Sequence, residues 1–499
     1  MAQTGRIRSW TRRHGWFLTV FALGSALRIV TMAGFRPALW FPDSYTYVVT
    51  AMRPRPDLVR PAGYSMFLRL LEPLHSFAAV TVVQHLLGLL VGVLIYVTVL
   101  RAGGRAWLAA LATVPALLDA YQIQLEHLLV SDSLFTLLVV AAACLLARGP
   151  AVSPRTALAL GLLLAAATLT RTIGLPLIAV FGLYVVWRGV REGGWRRLPR
   201  TLGVFLLAGL IPIGAYGGWF YATYHRVGLV GSNGVFLYSR TMMFADCATM
   251  RPPPDLAVLC DPRPPSARPS PPDYIWNPAS PVVRLPGITF SQANDALANR
   301  FGMLAIRSQP LDFAGSVLTE FARSFTLDRP VYPDKATYES YEFPVAAPPP
   351  PDRDPAITGA ALAERYERGP LTVTIAEPYA GWMRAYQNVA YLPGAFLLVL
   401  LLVPPAAVIL RPRGRGSRGS AGGGEGGDGR DGLATWAVWL TAVALLAVPA
   451  ATAAFDYRYV LPAAPLACLA AALAVVRALP RARQASPDPA GTRDDQVVL

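Results

Sequence analysis

The chain has 499 residues, of which 54% are hydrophobic and 15% are charged, and its mean hydropathy is +0.40. This composition excludes an ordinary soluble protein and is typical of a chain that crosses a membrane many times. The formal net charge is +15, but the arginines lie mainly in short segments between apolar stretches, where such residues set membrane topology. We therefore expect membrane lipids, and no nucleic acid, as partners.

The hydropathy pattern predicts an all-α polytopic membrane protein with about ten spans. The third to sixth are short and could be tilted or partly re-entrant. The spans centre on 15–34, 77–100, 105–120, 132–147, 156–172, 174–188, 201–222, 388–410, 433–452 and 459–478.

The basic residues predict the orientation, because cytoplasmic loops carry an excess of arginine and lysine. The dense arginine clusters in short loops fall on one side of the membrane, apart from those in the first outer loop. We therefore predict a plasma-membrane protein with both termini in the cytoplasm and its functional site outside. The low-complexity segment 411–432 is expected to be a disordered cytoplasmic loop.

This topology divides the chain into four parts. Residues 1–222 form a transmembrane module with amphipathic helices in its first outer loop, 35–76, and residues 223–386 form a small, partly helical outer subdomain. In that subdomain the apolar spacing predicts a helix over 290–308, with Ser291 as its N-cap, and another over 311–325. Residues 387–478 contain the last spans, and residues 479–499 form a cytoplasmic tail.

Two of the four cysteines lie inside apolar spans and are expected to be packing residues. Cys247 and Cys260 share the large outer loop, where a disulfide can form. A metal-binding pair is the alternative, although no other cysteine and no histidine cluster accompanies them.

Asp43 lies in the motif WFPDSYTY of the first outer loop, among aromatic residues. One interpretation is a general base that takes a proton from an acceptor hydroxyl as it attacks a sugar carbon. The neighbouring aromatic rings are expected to exclude water and raise the basicity of the carboxylate. The alternative is a structural role as N-cap of a helix over 44–52.

Four arginines of this loop, Arg53, Arg55, Arg60 and Arg69, run against the positive-inside rule. Binding of a lipid phosphate would explain them, because arginine offers a fork of donors to phosphate oxygens. A basic patch on anionic headgroups is the alternative.

Three ionisable residues, Glu126, His127 and Asp132, precede or open the fourth span in LEHLLVSDSLF. Asp132 could orient an arginine, hold a divalent cation or cap the helix. Glu126 and His127 are candidate supporting residues, although a histidine at such a position is often simply a hydrogen-bonded interfacial residue.

Two further arginines lie at outer turns: Arg171 in TLTRTIGLP and Arg458 in FDYRYVLP, where Tyr457 is a supporting candidate. They could clamp a leaving phosphate and stabilise the charge that develops as the sugar–phosphate bond breaks. Snorkelling towards lipid headgroups is the alternative.

Taken together, these motifs resemble the GT-C superfamily of polytopic glycosyltransferases that use polyprenyl-phosphate sugars. The similarity is greatest to the branch of the protein O-mannosyltransferases and lipid A aminoarabinose transferases. It is carried by DSYTYVVTAMRP and RPAGYSMFLRLL after the first span, LLVSDSLFTLL, TLTRTIGLP, AIRSQPLDF and YRYVLP.

The resemblance implies a catalytic aspartate at Asp43, an acidic position at Asp132, and cations that meet the donor phosphate at Arg171 and Arg458. We count Arg60 among the phosphate-binding candidates. The family often has a paired acidic motif in the first loop, whereas Ser44 follows Asp43 here, so no metal cofactor is expected to be required, although a divalent cation could take part.

The expected function is an inverting transfer of a hexose or pentose from a polyprenyl-phosphate donor to a glycan, lipid or protein acceptor. A lipid-linked sugar flippase or exporter is the alternative. It would share the phosphate-binding cations but need no outer carboxylate base. A non-catalytic scaffold for envelope assembly is a third interpretation.

Overall fold

The computed structural model describes residues 2–149, 152–191, 194–410 and 430–478. Within these ranges the regular structure is helical apart from one two-stranded ribbon, and the chain is an all-α polytopic membrane protein, as predicted. Most of the helices in the first half are apolar. They are α1 (Ala2–Gly34), α2 (Pro42–Met52), α3 (Gly63–Leu71), α4 (Phe77–Arg101), α5 (Ala106–Leu111), α6 (Val114–Leu118), α7 (Ala120–His127), α8 (Asp132–Leu146), α9 (Pro154–Thr170), α10 (Leu175–Arg191) and α11 (Leu198–Tyr224).

The second half begins with short helices of the predicted outer subdomain and ends with three apolar ones. They are α12 (Asn233–Thr241), α13 (Cys247–Met250), α14 (Pro254–Ala257), α15 (Pro271–Trp276), α16 (Gln292–Ser308), α17 (Pro310–Arg323), α18 (Lys335–Glu339), α19 (Asp354–Glu367), α20 (Tyr379–Gln387), α21 (Gly394–Ile409), α22 (Arg430–Thr452) and α23 (Ala463–Ala478). The ribbon pairs β1 (Phe35–Arg36) with β2 (Thr374–Ile375) in antiparallel register.

Nine apolar helices of the described residues fall where spans were predicted. Six are long enough to cross a membrane: Arg13–Gly34, Phe77–Arg101, Thr172–Arg191, Leu198–Tyr224, Gly432–Thr452 and Tyr457–Ala478. Three are shorter: Asp132–Leu146, Pro154–Thr170 and Gly394–Ile409.

The span predicted over 105–120 is not a single helix. The chain there forms two short helices, α5 and α6, separated at Ala112 and Thr113. Pro115 occupies the first turn of α6, where its missing N–H costs no hydrogen bond, whereas a continuous helix would place its ring against the preceding turn.

The main hydrophobic core lies among α4, α8, α9, α10, α22 and α23. Helix α23 is central to it, because every residue from Ala463 to Ala474 is buried. The turn before α23 therefore leads directly into the middle of the helical bundle. Arg458 lies in that turn.

A second core belongs to the outer subdomain and is built by α12, α15 and α16. Ser291 is the N-cap of α16 and accepts a hydrogen bond from the backbone N–H of Asn294, which confirms the predicted cap. Helix α17 begins at Pro310 and ends at Arg323, within two residues of the predicted 311–325.

The outer subdomain also packs on the first loop, through α19 on α2. A Cβ at Gly359 would lie 2.6 Å from the backbone oxygen of Tyr45, so only glycine allows this approach. Residues 411–429 of the loop predicted to be disordered, and the predicted tail at 479–499, lie outside the described residues. The last three residues of that predicted loop, 430–432, are helical instead and begin α22.

Candidate functional site

The first outer loop places Asp43 near the start of α2. The helix begins at Pro42, a favoured residue for the first helical position, and the Ser44 side chain accepts a hydrogen bond of 2.9 Å from the Phe41 N–H. The N-cap is therefore Phe41, and the N-cap role considered for Asp43 is wrong. The carboxylate of Asp43 is left free to make tertiary contacts.

Two arginines from distant parts of the chain hold that carboxylate. Arg60 donates from Nη2 to Oδ1 of Asp43, and Arg458 donates from Nη1 to Oδ2 over 3.1 Å. Asp43 is 7% exposed, and the side chains of Arg60 and Arg458 are also largely buried, at 17% and 15% exposure. The charges of all three groups are therefore matched mainly by one another.

The electrostatics of Asp43 differ from the sequence-based expectation. Burial alone raises the pKa of its carboxyl, but the charges and hydrogen bonds of Arg60 and Arg458 outweigh burial and lower the pKa to about 2. The prediction that the aromatic neighbours raise the basicity of the carboxylate is therefore wrong. Asp43 is fully ionised at neutral pH and is a weak base as long as both arginines stay on it.

A second ion pair lies beside the first. Arg171, the C-cap of α9, donates from Nη1 to Oδ1 of Asp132, the first residue of α8. The guanidinium carbons of Arg171 and Arg458 lie 5.5 and 5.7 Å from the centroid of the Tyr459 ring, so the two pairs adjoin at this ring. The N-cap of α8 is Ser131, so Asp132 does not cap its helix and orients an arginine instead.

Close backbone packing fixes the first loop against this second pair. A Cβ at Gly63, the first residue of α3, would lie 2.4 Å from the carbonyl oxygen of Leu169 near the end of α9. The loop that carries Arg60 therefore contacts the chain two residues before Arg171. Oδ2 of Asp132 and Oγ of Ser133 are buried and have no hydrogen-bond partner within the described part of the chain.

Arg458 is itself anchored from behind. Its Nε lies 3.1 Å from Oδ2 of Asp456, which also accepts a hydrogen bond of 2.8 Å from the Tyr341 hydroxyl. Its guanidinium carbon lies 4.9 Å from the centroid of the Phe41 ring. These contacts direct the guanidinium of Arg458 towards Asp43.

Glu126 and His127, the supporting candidates, belong to a separate buried network. Glu126 accepts 2.7 and 2.8 Å hydrogen bonds from Nε and Nη2 of Arg28, and Oε2 lies 3.0 Å from Nδ1 of His85. His127 lies between His85, at 3.1 Å, and the carbonyl of Phe35, at 2.5 Å. This network contacts neither Asp43 nor Asp132 directly.

The network nevertheless supports the backbone that leads to Asp43. The Leu39 N–H donates to the His127 carbonyl over 3.1 Å, and the Leu129 N–H donates to the Leu39 carbonyl over 3.1 Å. Glu126 is fully buried, so its charge has to be matched by Arg28 to be tolerated. Glu126 and His127 therefore help to stabilise the backbone of the first loop where it leads to Asp43.

Tyr457 lies beside Arg458 but faces other residues. The guanidinium carbon of Arg329 lies 4.7 Å from the centroid of its ring, and Tyr121 packs edge-on against it at 5.1 Å. Neither the spacing nor the hydropathy of the sequence singled out Arg329, because it lies in an irregular stretch far from any span.

Arg353 is a second residue that the sequence did not single out. It follows the proline run and is close enough to Asp43 and Arg60 to interact electrostatically with both; burial and then the Arg60 charge lower its pKa. Its guanidinium carbon lies 4.9 Å from the centroid of the Trp276 ring. The outer subdomain therefore brings another cation to the edge of the site.

The remaining candidates lie elsewhere. Arg55 stacks on Tyr224 at 5.1 Å, Arg69 donates to the carbonyl of Ala51 over 2.9 Å, and Arg53 is exposed. Of the four loop arginines, only Arg60 has an ion pair with Asp43 in the described structure.

A disulfide joins Cys247 and Cys260 in the outer subdomain. The other two cysteines, Cys144 and Cys468, are buried thiols, as expected for packing residues. Across residues 2–149, 152–191, 194–410 and 430–478, no group of three or more His, Cys, Asp or Glu side chains is placed to hold a metal ion.

Fold and site together define a polytopic α-helical membrane protein in which three arginines pair with two buried carboxylates, those of Asp43 and Asp132, at the ends of several helices. Comparison with known proteins adds a similarity over part of the chain. Residues 73–227 match the model of the dolichyl-phosphate-mannose-protein mannosyltransferase family, so this segment is similar to that family. The match includes Asp132 and Arg171 but ends before Arg458 and begins after Asp43.

One solved structure is also similar, the protein O-mannosyltransferase Pmt1-Pmt2 complex of S. cerevisiae bound to the sugar donor. The identity is 17% and the TM-score is 0.35, and the similar region covers 46% of this chain and 36% of the yeast chain. No curated protein matches the chain.

Proposed function

We propose that the protein is a membrane glycosyltransferase that moves a sugar from a polyprenyl-phosphate donor to an acceptor hydroxyl. The observation that carries this proposal is the buried carboxylate of Asp43 between Arg60 and Arg458, next to the Arg171–Asp132 pair. Binding of the lipid phosphate calls for several hydrogen-bond donors, and the transfer calls for a general base. The guanidinium groups of the arginines are candidates for the first role, and the carboxylate of Asp43 is the candidate for the second.

The reaction is a single displacement. The acceptor oxygen forms a bond to the anomeric carbon, its proton passes to the Asp43 carboxylate, and the bond from that carbon to the phosphate oxygen breaks. The phosphate leaves with the bonding electrons, and Arg458 and Arg171 stabilise its charge. A single displacement inverts the configuration at the anomeric carbon.

Donor binding activates the base in this proposal. Arg60 and Arg458 lower the pKa of Asp43 to about 2, which leaves it a poor proton acceptor. The donor phosphate is a diester with one negative charge, so it competes with the carboxylate for Arg458, and its own charge beside Asp43 favours the neutral carboxyl. The effect of burial, which raises the pKa of Asp43, then outweighs the weakened effect of the arginines. The carboxylate therefore becomes a stronger base only when the donor is bound.

The site is proposed to lie at the outer face of the plasma membrane, with both termini in the cytoplasm. The distribution of arginines supports this orientation. The acceptor would enter between the first loop and the outer subdomain, where Arg353 lies close to Asp43.

Competition with a sugar-free lipid tests the phosphate site. Undecaprenyl phosphate should inhibit transfer by the wild-type protein competitively with donor, and Arg458→Ala should weaken this inhibition by roughly tenfold or more, as for the loss of a charged hydrogen bond. Arg307→Ala removes an exposed arginine of α16 and is the matched control. Equal inhibition of all three proteins would rule out Arg458 as a phosphate ligand.

A further inference from the structure

The backbone that leads from α22 to Arg458 is irregular. Helix α22 ends at Thr452, and Arg458 lies in the short 3-10 turn Tyr457–Tyr459. Residues 453–456 between them belong to no helix or strand, and we call them the 453–456 connection. Backbone of this kind has no regular hydrogen-bond ladder of its own, so other groups have to satisfy and fix it. The groups that fix this connection therefore also determine where the guanidinium of Arg458 lies relative to Asp43.

Glu320 of α17 binds the middle of this connection. Its side chain is fully buried, and Oε2 accepts a hydrogen bond of 2.6 Å from the backbone N–H of Phe455, three residues before Arg458. The two residues are 135 positions apart in the chain, and α17 belongs to the outer subdomain. A hydrogen bond to an ionised acceptor is stronger than one between neutral groups. The outer subdomain is therefore anchored to the backbone beside Arg458.

The carboxylate of Glu320 is itself held by two side chains of the outer subdomain. Arg323 donates from Nε to Oε1 over 2.8 Å, and the Tyr332 hydroxyl lies 3.0 Å from each carboxylate oxygen. The guanidinium carbon of Arg323 in turn lies 3.9 Å from the centroid of the Tyr332 ring. Because these contacts fix the carboxylate, its direction towards the Phe455 N–H is set by the subdomain and not by the connection.

Arg240 of α12 anchors the end of α22, just before the connection. Its side chain is fully buried, and Nε and Nη2 donate to the carbonyl oxygen of Ala450 over 3.1 and 2.9 Å. Ala450 lies in the last turn of α22, where carbonyl groups lack partners within the helix and a cation is favoured. The charge of Glu320 also acts on Arg240. Two buried charged groups of the outer subdomain thus hold the backbone at 450 and at 455.

Neither of these groups belongs to the candidate site itself. Among the described residues, the hydrogen bonds and ion pairs of Glu320 and Arg240 do not involve Asp43, Arg60 or Arg458. Any influence on the site therefore has to pass through the backbone that ends at Arg458. A displacement of about 1 Å is enough to weaken the action of a charged group in an active site strongly.

We propose that Glu320, supported by Arg240, is a positioning residue for Arg458. It holds the 453–456 connection so that the guanidinium of Arg458 lies within reach of Asp43 and of a bound phosphate. The consequence for phosphate binding rests on the proposed function, whereas the order of the connection can be measured without any ligand.

Hydrogen exchange followed by mass spectrometry, on purified full-length protein in detergent, tests the order of the connection. Glu320→Met keeps the length of the side chain but removes both acceptor oxygens, so amide exchange in residues 453–460 should become at least about tenfold faster. Glu320→Gln keeps an oxygen for the Phe455 N–H and should stay close to the wild type. Arg323→Gln, which removes a partner of Glu320 without touching Phe455, is the matched control. Unchanged exchange in Glu320→Met overturns the proposal.

The affinity for undecaprenyl phosphate tests whether Glu320 acts through Arg458. Glu320→Met should weaken binding by roughly threefold to tenfold, and Glu320→Gln should restore most of this loss. In an Arg458→Ala background, Glu320→Met should weaken binding by less than about a further twofold, because the group that it positions is gone. An equal loss in both backgrounds, or a faster-exchanging connection with unchanged affinity, overturns the role.

A second variant covers the case in which Glu320→Met does not fold. Arg240→Met removes the anchor at Ala450 and should change both measurements in the same direction as Glu320→Met. Unchanged exchange in residues 453–460 of this variant would then overturn the proposal. Failure of the wild type to bind undecaprenyl phosphate would contradict the proposed function, and the exchange measurement alone would then decide whether Glu320 positions the turn.

Discussion

Removing Arg60 should make the ionisation of Asp43 visible in the pH dependence of transfer. In the wild type the pKa of Asp43 falls from 3.8 to about 2 although burial opposes this change. At about 1.4 kcal/mol per pH unit, the surroundings favour the ionised form by roughly 2 kcal/mol. In Arg60→Gln, burial and Arg458 remain, but the charge and hydrogen bond of Arg60 are lost.

We expect the pKa of Asp43 in this variant to rise by roughly one to three pH units. The sign follows from the direction of the change: a carboxyl with a raised pKa takes up its proton at a higher pH and stops acting as a base there. The acid limb of kcat/KM, which reports the free enzyme, should therefore move upwards. It should move to about pH 3–5 in Arg60→Gln and lie below this range in the wild type.

The assay is the initial rate of transfer at low donor concentration between pH 4 and 9. Arg53→Gln, which removes an exposed arginine of the same loop, is the matched control and should keep the wild-type profile. A loss of activity in Arg60→Gln without any shift of the acid limb would contradict the assignment of Asp43 as the titrating base.

Three further predictions concern the fold and the topology. Arg171→Leu should lower the free energy of unfolding by about 3–5 kcal/mol, because it leaves the fully buried Asp132 unpaired. In thermal melts, the double variant Arg171→Leu with Asp132→Leu should recover much of this loss. Equal melting temperatures of the single and double variants would refute the pairing. The double variant Cys247→Ser with Cys260→Ser removes a disulfide between cysteines 13 positions apart and should lower the free energy of unfolding by up to about 3 kcal/mol. A reductant should lower the melting temperature of the wild type and of Cys144→Ser alike. A wild type whose melting temperature does not change with reductant would contradict the disulfide. A cysteine at the exposed Arg53 should react with a membrane-impermeant maleimide on intact cells, and labelling only after lysis would place the first loop in the cytoplasm.

The sequence predicted the fold class and most of the helices, because long apolar stretches in a chain of this hydropathy can only be membrane helices. It predicted the break at Pro310, where a helix begins, but not the break before Pro115, where the apolar character continues without interruption. Hydropathy indicates which segments are buried. It cannot distinguish a buried helix with a break from a buried continuous helix, because both are uniformly apolar.

The candidate site was harder to predict, because its contacts join residues far apart in the chain. Asp43 and Arg458 are 415 positions apart, and their contact depends on α23 bringing its preceding turn to the first loop. Glu126, His127 and Asp132 are near neighbours in sequence, yet the first two face Arg28 and His85 while the third faces Arg171. Residues close in sequence therefore belong to different networks here, because the short connection between α7 and α8 directs their side chains towards different partners.

The effect of the arginines on Asp43 could not have been foreseen either. Aromatic neighbours and burial were evident from WFPDSYTY, and burial does raise the pKa of the carboxyl. The opposing effect, which lowers the pKa, depends on which cations lie beside the carboxylate. Only the folded structure shows that Arg60 and Arg458 both do.

Binding and transfer measured on the same samples test the proposed role of Asp43 most directly. Purified wild type and Asp43→Asn would each be incubated with a panel of labelled polyprenyl-phosphate sugars, and bound donor and transferred label would be counted separately. The account predicts that both proteins bind one of the donors and that only the wild type transfers its sugar. Transfer by Asp43→Asn at the wild-type rate, or the absence of donor binding by both proteins, would contradict it.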